Sequence, residues 1–174
     1  LAHPNIKESQ ANKALVDAVS DMEGVAVFNL YELSQEIAFN VDEWSKIISD
    51  ASAVIYQFPF YWMSAPSLLK KWQDEVFTFL SKTPAVAGKS LTVVTTTGSE
   101  YEAYRSGGRN RFTMDELLRP YQVSAIHSGM SWQTPIVVYG MGTADAGKNI
   151  AEGANLYKQR VEMLIGSSNA GNNW

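Results

Sequence analysis

The feature that most constrains this chain is the run Ala53-Val54-Ile55-Tyr56-Gln57-Phe58, short and almost unbroken in its apolar character. A strand of that kind is covered on both faces, which is the mark of a parallel sheet rather than of a half-solvated antiparallel one. Leu91-Thr92-Val93-Val94-Thr95-Thr96-Thr97 reads the same way, and residues 25–30 and 134–139 supply two more strand candidates. Helical stripes lie between them. Ala11, Ala14, Leu15, Ala18, Val19 and Met22 share one face of a helix predicted over residues 8–22, stopped by Gly24. Trp44, Ile47, Ile48 and Ala51 share another over 42–51, with Asp42 as its expected cap. Pro66 suits the first turn of a helix that Leu69, Trp72, Val76 and Leu80 carry inward. Thr113 and Glu116 match a capping box ahead of a helix that Pro120 interrupts. The last helix carries Ile150, Ala154, Tyr157, Val161 and Leu164 on one stripe and is expected to end at Gly166. Strands alternating with helices imply βαβ units, with helices on both faces of the sheet.

Composition narrows the chemistry. At 174 residues the chain is one domain, expected over residues 1–166, with a small polar tail over 167–174 expected to fray. It has 45% hydrophobic and 18% charged residues, a globular balance, and its net charge of −4 argues against a broad nucleic-acid surface. No cysteine is present, which removes disulfides, thiolate metal sites and cysteine nucleophiles, and His3 and His127 are too far apart for an evident zinc site, so no metal is expected. With no apolar run long enough to span a membrane and no signal peptide, the expected location is the cytoplasm.

Ligands of open parallel sheets lie at the carboxyl ends of the strands, so the loops that follow them are where chemistry is sought. Ser9 and Asn12, with His3 ahead of them, stand where the free N–H groups of a helix N-terminus could hold an anion; Ser9 as a plain cap is the competing reading. No P-loop is present. Phe58-Pro59-Phe60-Tyr61-Trp62 follows a buried strand and offers an aromatic wall for a flat ring, or else a hydrophobic plug or partner surface. Thr96-Thr97-Gly98-Ser99 offers hydroxyls and N–H groups to ring heteroatoms, against the alternative of a Thr-rich strand running into a turn. Arg105, Arg109 and Arg111 read as a solvated loop and His127 as a structural histidine. Gly140-Met141-Gly142 is too incomplete for a dinucleotide fingerprint.

Taken together, Ala2-His3-Pro4 with Ser9 and Asn12, Pro59-Phe60-Tyr61-Trp62 leading into Pro66-Ser67-Leu68-Leu69-Lys70-Lys71-Trp72, and Thr96-Thr97-Gly98 with Tyr104 resemble the flavodoxin-like NAD(P)H:quinone oxidoreductases. The branch it most resembles holds bacterial general-stress quinone reductases and ancillary subunits of glutathione-gated potassium efflux systems. That resemblance runs from Leu1 to about Ile165. It implies a three-layer α/β/α fold around a parallel five-stranded sheet of order 2-1-3-4-5, FMN as cofactor, NAD(P)H as co-substrate, a quinone as acceptor and a homodimer. By position it places His3, Ser9, Ala11 and Asn12 around the flavin phosphate. Pro59, Phe60, Tyr61 and Trp62 would line the isoalloxazine, Thr96, Thr97, Gly98 and Ser99 its far edge, and Tyr104 the substrate. Three departures stand out: nearly all of the family's first strand is absent ahead of Leu1-Ala2, the 79–89 connection is short, and Ser99 replaces a common glycine. The leading function is a flavin-dependent NAD(P)H:quinone oxidoreductase. The alternatives are an FMN-binding regulatory subunit of a potassium efflux system and a flavin-binding remnant without turnover. Trp72, Phe77 and Phe79, spread around one helix, suggest a dimer interface there.

Overall fold

The computed structural model describes residues 1–33 and 38–171, with side chains to 167. Its elements run α1 (Gln10–Asp17), α2 (Leu30–Leu33), α3 (Val41–Asp50), β1 (Ala53–Pro59), α4 (Ser67–Trp72), a π-helical turn (Gln73–Phe77), α5 (Thr78–Leu80), β2 (Ser90–Thr96), α6 (Met114–Leu117), α7 (Arg119–His127), β3 (Ser131–Trp132), β4 (Ile136–Val138) and α8 (Ala146–Gly171). All pairings in the sheet are parallel: β1 lies against β2, and β2 lies against both β3 and β4. Two apolar layers cover it. One side holds Trp44, Ile48, Tyr56, Phe58, Trp72, Leu91, Val93 and Tyr121; the other holds Leu15 and Val19 of α1 with Tyr157 and Val161 of α8. This is the three-layer α/β/α arrangement expected from the alternation of elements.

Several elements depart from the expected boundaries, each for a local reason. Residues 25–29 form no strand. Extended backbone needs a ladder partner, and there only Leu1 supplies one: its amino group donates to the Phe28 carbonyl (2.8 Å), and Leu30 N–H donates to the Leu1 carbonyl (2.9 Å). The sheet therefore has four strands where five were expected. The expected strand over 134–139 is split, because Pro135 has no N–H for the ladder and pairing resumes at Ile136. Asn40, not Asp42, caps α3; its Oδ1 accepts from the N–H groups of Asp42 (3.0 Å) and Glu43 (3.2 Å). The first helix is shorter than predicted, with a 3₁₀ turn (Ile6–Glu8) ahead of it. The last helix runs through Gly166 and Ser167 to Gly171, since an exposed glycine only weakens a helix by about 1 kcal/mol and Gly166 does not adopt a left-handed φ. Residues 172–174 of the expected tail lie outside the described residues. The capping box at Thr113 and Glu116 is present, and the chain steps from α6 to α7 at Leu118, just ahead of Pro120.

The π-helical turn changes how α4 and α5 use their aromatics. One extra residue in the turn brings Trp72 and Phe77, five apart, onto the same inward side, their rings 6.2 Å apart. Both are buried, and of the three aromatics spread around the predicted helix only Phe79 faces out. The surface left there for a partner is smaller than the helical wheel suggests.

Candidate active-site cleft

The amino end of α1 is fixed against the carboxyl ends of β1 and β2 by buried side chains. Gln57 of β1 donates from Nε2 to the Asn12 carbonyl (2.8 Å), and Asn12 donates from Nδ2 to Thr96 Oγ1 of β2 (3.0 Å). Ser9 caps the helix by accepting from Asn12 N–H (3.1 Å). The N–H groups of Gln10 and Ala11 have no acceptor among the described residues. No acidic residue stands in the first turn of α1, so nothing opposes the partial positive charge there. His3 is buried beside this end. Its Nδ1 accepts from Asn5 N–H (3.1 Å), which leaves the neutral ring with its proton on Nε2 as a donor. Burial holds the His3 pKa below the usual histidine range, partly offset by that hydrogen bond.

After β1 the chain makes a tight two-residue turn. Tyr61 N–H donates to Ser64 O (2.8 Å) and Ser64 N–H to Tyr61 O (3.0 Å), with Trp62 at φ 45° and Met63 at φ 62° between them. Two consecutive non-glycine residues in the left-handed region cost roughly 1–2 kcal/mol each. The turn divides the aromatic run. Phe58 and Phe60 are buried, while Tyr61 is 47% and Trp62 95% exposed at the mouth. After β2, the 97–99 loop is laced to the loop after β4: Met141 N–H donates to Thr97 O and Gly142 N–H to Gly98 O, both at 2.9 Å, and Gly140 N–H to Ser99 O at 2.8 Å. Gly140 takes φ +76°, and a Cβ at Gly142 would stand 3.1 Å from the Gly98 carbonyl, so glycine suits both positions.

These loops enclose a cleft of about 680 Å³. Of the residues singled out in the sequence, His3, Ser9, Ala11, Asn12, Pro59, Phe60, Tyr61, Trp62, Thr96, Thr97 and Gly98 all line it. Ser99 and Tyr104 do not. Ser99 turns its hydroxyl to Arg109 Nη2 (2.6 Å), which ties one of the three loop arginines down. Tyr104 is buried behind Phe60, its ring edge-on at 6.2 Å, with Ser99, Arg109 and Asn110 about its hydroxyl; burial raises its pKa, so it stays protonated at neutral pH. His127 is exposed in the last turn of α7 rather than built into the core. The cleft also has walls the sequence reading missed: Gln10, Met141, and Ala146 and Ile150 of α8. Met141 comes from the Gly-x-Gly loop set aside above, and its position directly after a strand was the available signal. Ile150 was read as the start of a core stripe.

No carboxylate and no basic side chain lines this cleft. One end is a helix N-terminus with unpaired N–H groups; the other is aromatic. The Asn12 amide adds a third element. With Nδ2 on Thr96, its buried Oδ1 has no partner. Turned by 180°, Oδ1 accepts from the Thr96 hydroxyl and Nδ2 becomes an unpaired donor in the cleft wall. The donor set fits an anion held by neutral groups, next to a flat apolar ring system.

Residues 1–161 match the family defined by the flavodoxin-like fold. This chain belongs to that family. Among its flavodoxin-like relatives, general stress protein 14 of Bacillus subtilis is 35% identical over 92% of this chain and 94% of its own length. The uncharacterized NAD(P)H oxidoreductase YdeQ of the same organism is 35% identical over 94% and 85%. The glutathione-regulated potassium-efflux system ancillary protein KefG of Pectobacterium atrosepticum is 34% identical over 79% and 78%. Among solved structures, general stress protein 14 of Treponema denticola in complex with FMN superposes with a TM-score of 0.83 at 29% identity, covering 94% of this chain and 95% of that one. An NADPH-quinone reductase from P. pentosaceus reaches 0.78 at 28%, covering 91% and 93%. A protein described as a thermophilic tryptophan halogenase reaches 0.84 at 35%, covering 92% and 95%. One flavodoxin-like scaffold thus carries several described activities, so activity has to be argued from the cleft.

Proposed function

We propose that this protein is an FMN-dependent NAD(P)H oxidoreductase that reduces a quinone or a related acceptor by two electrons. The observation that carries this reading is the pairing of an unopposed helix N-terminus with an aromatic wall in one cleft, the two halves of an FMN molecule's chemistry. FMN in the Treponema relative and NADPH-quinone reductase as the description of another structure support it.

In this reading the N–H groups of Gln10 and Ala11, the Ser9 hydroxyl, the Asn12 amide and His3 Nε2–H hold the phosphate. Pro59, Phe60, Tyr61 and Trp62 lie against the ring, and Thr96, Thr97 and Gly98 meet its polar edge, with Met141 and Ile150 excluding water from the remaining side. The bound flavin supplies the redox chemistry, taking hydride from NAD(P)H and passing it to the acceptor, while the protein contributes position, hydrogen bonds and dryness. Tyr104 keeps its proposed role as donor to the acceptor's oxygen, reached by leaving Ser99 and Asn110 and passing the Phe60 edge. Tyr104→Phe is expected to leave FMN affinity within about twofold and to slow flavin reoxidation by benzoquinone roughly tenfold or more. Stopped-flow following reduction and reoxidation separately checks it; unchanged reoxidation assigns Tyr104 to support of Phe60 alone.

We also infer a homodimer. Trp62, Phe79 and Phe112 are all more than half exposed, and an uncovered indole at a cleft mouth is well suited to a second subunit. Light scattering at micromolar protein with FMN is expected to give twice 19.2 kDa. A monomer under those conditions rejects the dimer.

The KefG relatives favour a second reading, an ancillary subunit of a potassium efflux system in which FMN serves sensing or structure. Steady-state turnover separates the two. The enzyme reading expects FMN-dependent oxidation of NAD(P)H that accelerates with added benzoquinone; FMN binding without such turnover favours the ancillary role.

A further inference from the structure

On the edge of β1 that faces away from β2, a groove of about 530 Å³ opens between residues 53–57 and residues 24–28. Its walls come from both apolar layers: Trp44, Ile48 and Trp72 on one side, Val16, Tyr157 and Val161 on the other. The hydrogen bonds at its closed end define what fits. Leu1 pairs in parallel register with the 25–29 segment, its N–H group on Phe28 O and its carbonyl on Leu30 N–H, so Leu1 stands opposite Asn29. The next residue pairs with the other side, Ala2 N–H donating to Gln57 O (2.9 Å), so Ala2 stands opposite Phe58. Alternate residues reaching alternate sides is the pattern of a strand lying between two parallel neighbours.

Counting back from these anchors, both sides run out together. The four positions ahead of Leu1 would face Phe28, Val27, Ala26 and Val25 on one side, and Tyr56, Ile55, Val54 and Ala53 on the other. Val25 follows Gly24, and Ala53 is the first residue of β1. Along the two walls, the N–H groups of Ala26, Phe28, Ile55 and Gln57 point into the groove by the alternation of the ladder and have no acceptor among the described residues. Ala53, Val54 and Ile55 are only half buried, although their sequence is that of a strand covered on both faces.

We propose that this groove is a strand-acceptor site whose occupant is a four-residue apolar segment joined to the Leu1 amino group, running parallel to β1 and completing the sheet. Its first and third residues counted back from Leu1 bond to β1, and its second and fourth bond to the 25–29 segment. Its side chains alternate between the two apolar layers, so all four positions call for apolar, preferably β-branched residues. Joining it through an amide also removes the buried charge at the Leu1 amino group, whose pKa burial pushes down to about 6.

The test compares the chain carrying Val-Ile-Val-Val ahead of Leu1 with chains carrying Gly-Ser-Gly-Ser or Val-Pro-Val-Pro there, all without flavin, so the outcome is independent of the proposed activity. The apolar extension is expected to raise Tm by about 5 °C or more over both controls. It should slow hydrogen exchange at Ala26, Phe28, Ile55 and Gln57 by about a hundredfold or more and abolish binding of a hydrophobic dye to the groove. Equal Tm and equal exchange among the three chains overturn the proposal. So does protection of those four amides in the Gly-Ser chain only upon self-association, which would make a second copy the occupant.

Discussion

Asn12→Ala is expected to weaken FMN binding by about ten- to a hundredfold while changing riboflavin binding by less than about threefold. The substitution leaves the helix in place, because Ser9 caps through the Asn12 backbone N–H and Gln57 holds the Asn12 carbonyl. What it removes is the amide, whose free edge is buried and unpaired in the cleft wall. A lost hydrogen bond to a charged group costs about 1.5–3 kcal/mol, which is the stated range of affinity. Riboflavin lacks the phosphate and so serves as the internal control. Fluorescence titration of both ligands measures the ratio, and equal weakening of the two would move Asn12 away from the phosphate.

The second large effect is on stability. Trp72 is buried between α3 and the sheet, with Trp44 at 5.2 Å, Tyr56 at 5.9 Å and Phe77 at 6.2 Å around its ring. Trp72→Ala leaves a cavity that these three rings cannot close, and is expected to cost about 3–5 kcal/mol. For a chain of this size that lowers Tm by roughly 6–20 °C. Trp72→Phe is expected to cost less than about 1.5 kcal/mol. Its smaller ring forfeits some packing, but it also deletes Nε1–H, which is buried without a partner and carries a desolvation penalty of about 1–3 kcal/mol. Urea unfolding of the three proteins checks the order; a Phe variant as unstable as the Ala variant would mean that the indole N–H is satisfied.

Much of this was legible in the sequence because hydrophobic periodicity and strand-end geometry are local. The buried run at 53–58 and the inward stripe Leu69, Trp72, Val76 and Leu80 fold as their patterns require. Three separate loops, each read as following a strand, converge on one cleft because parallel strands deliver their carboxyl ends to the same edge. What was not legible depends on non-local partners. Residues 25–29 have strand-like composition, but a strand is defined by its neighbour, and here the neighbour is two residues long. The inward turn of Phe77 depends on a π-helical residue that no helical wheel anticipates. Met141, Ala146 and Ile150 reach the cleft only because the loops after β2 and β4 are laced together backbone to backbone, and such contacts leave no mark on side-chain identity. The strained pair Trp62 and Met63 is a related case. Sequence alone would place Asn-Gly in such a turn, and the aromatic found there instead stands almost wholly exposed at the cleft mouth.

The central claim is that this cleft binds FMN and that the bound flavin carries electrons from NAD(P)H to a quinone. The most direct measurement is an anaerobic titration of the FMN-loaded protein followed by its visible absorbance. Addition of one equivalent of NADPH or NADH is predicted to bleach the flavin band, and one equivalent of benzoquinone to restore it. A protein that retains no FMN through gel filtration, or one whose bound flavin stays oxidised under excess NADPH and NADH, would contradict the account.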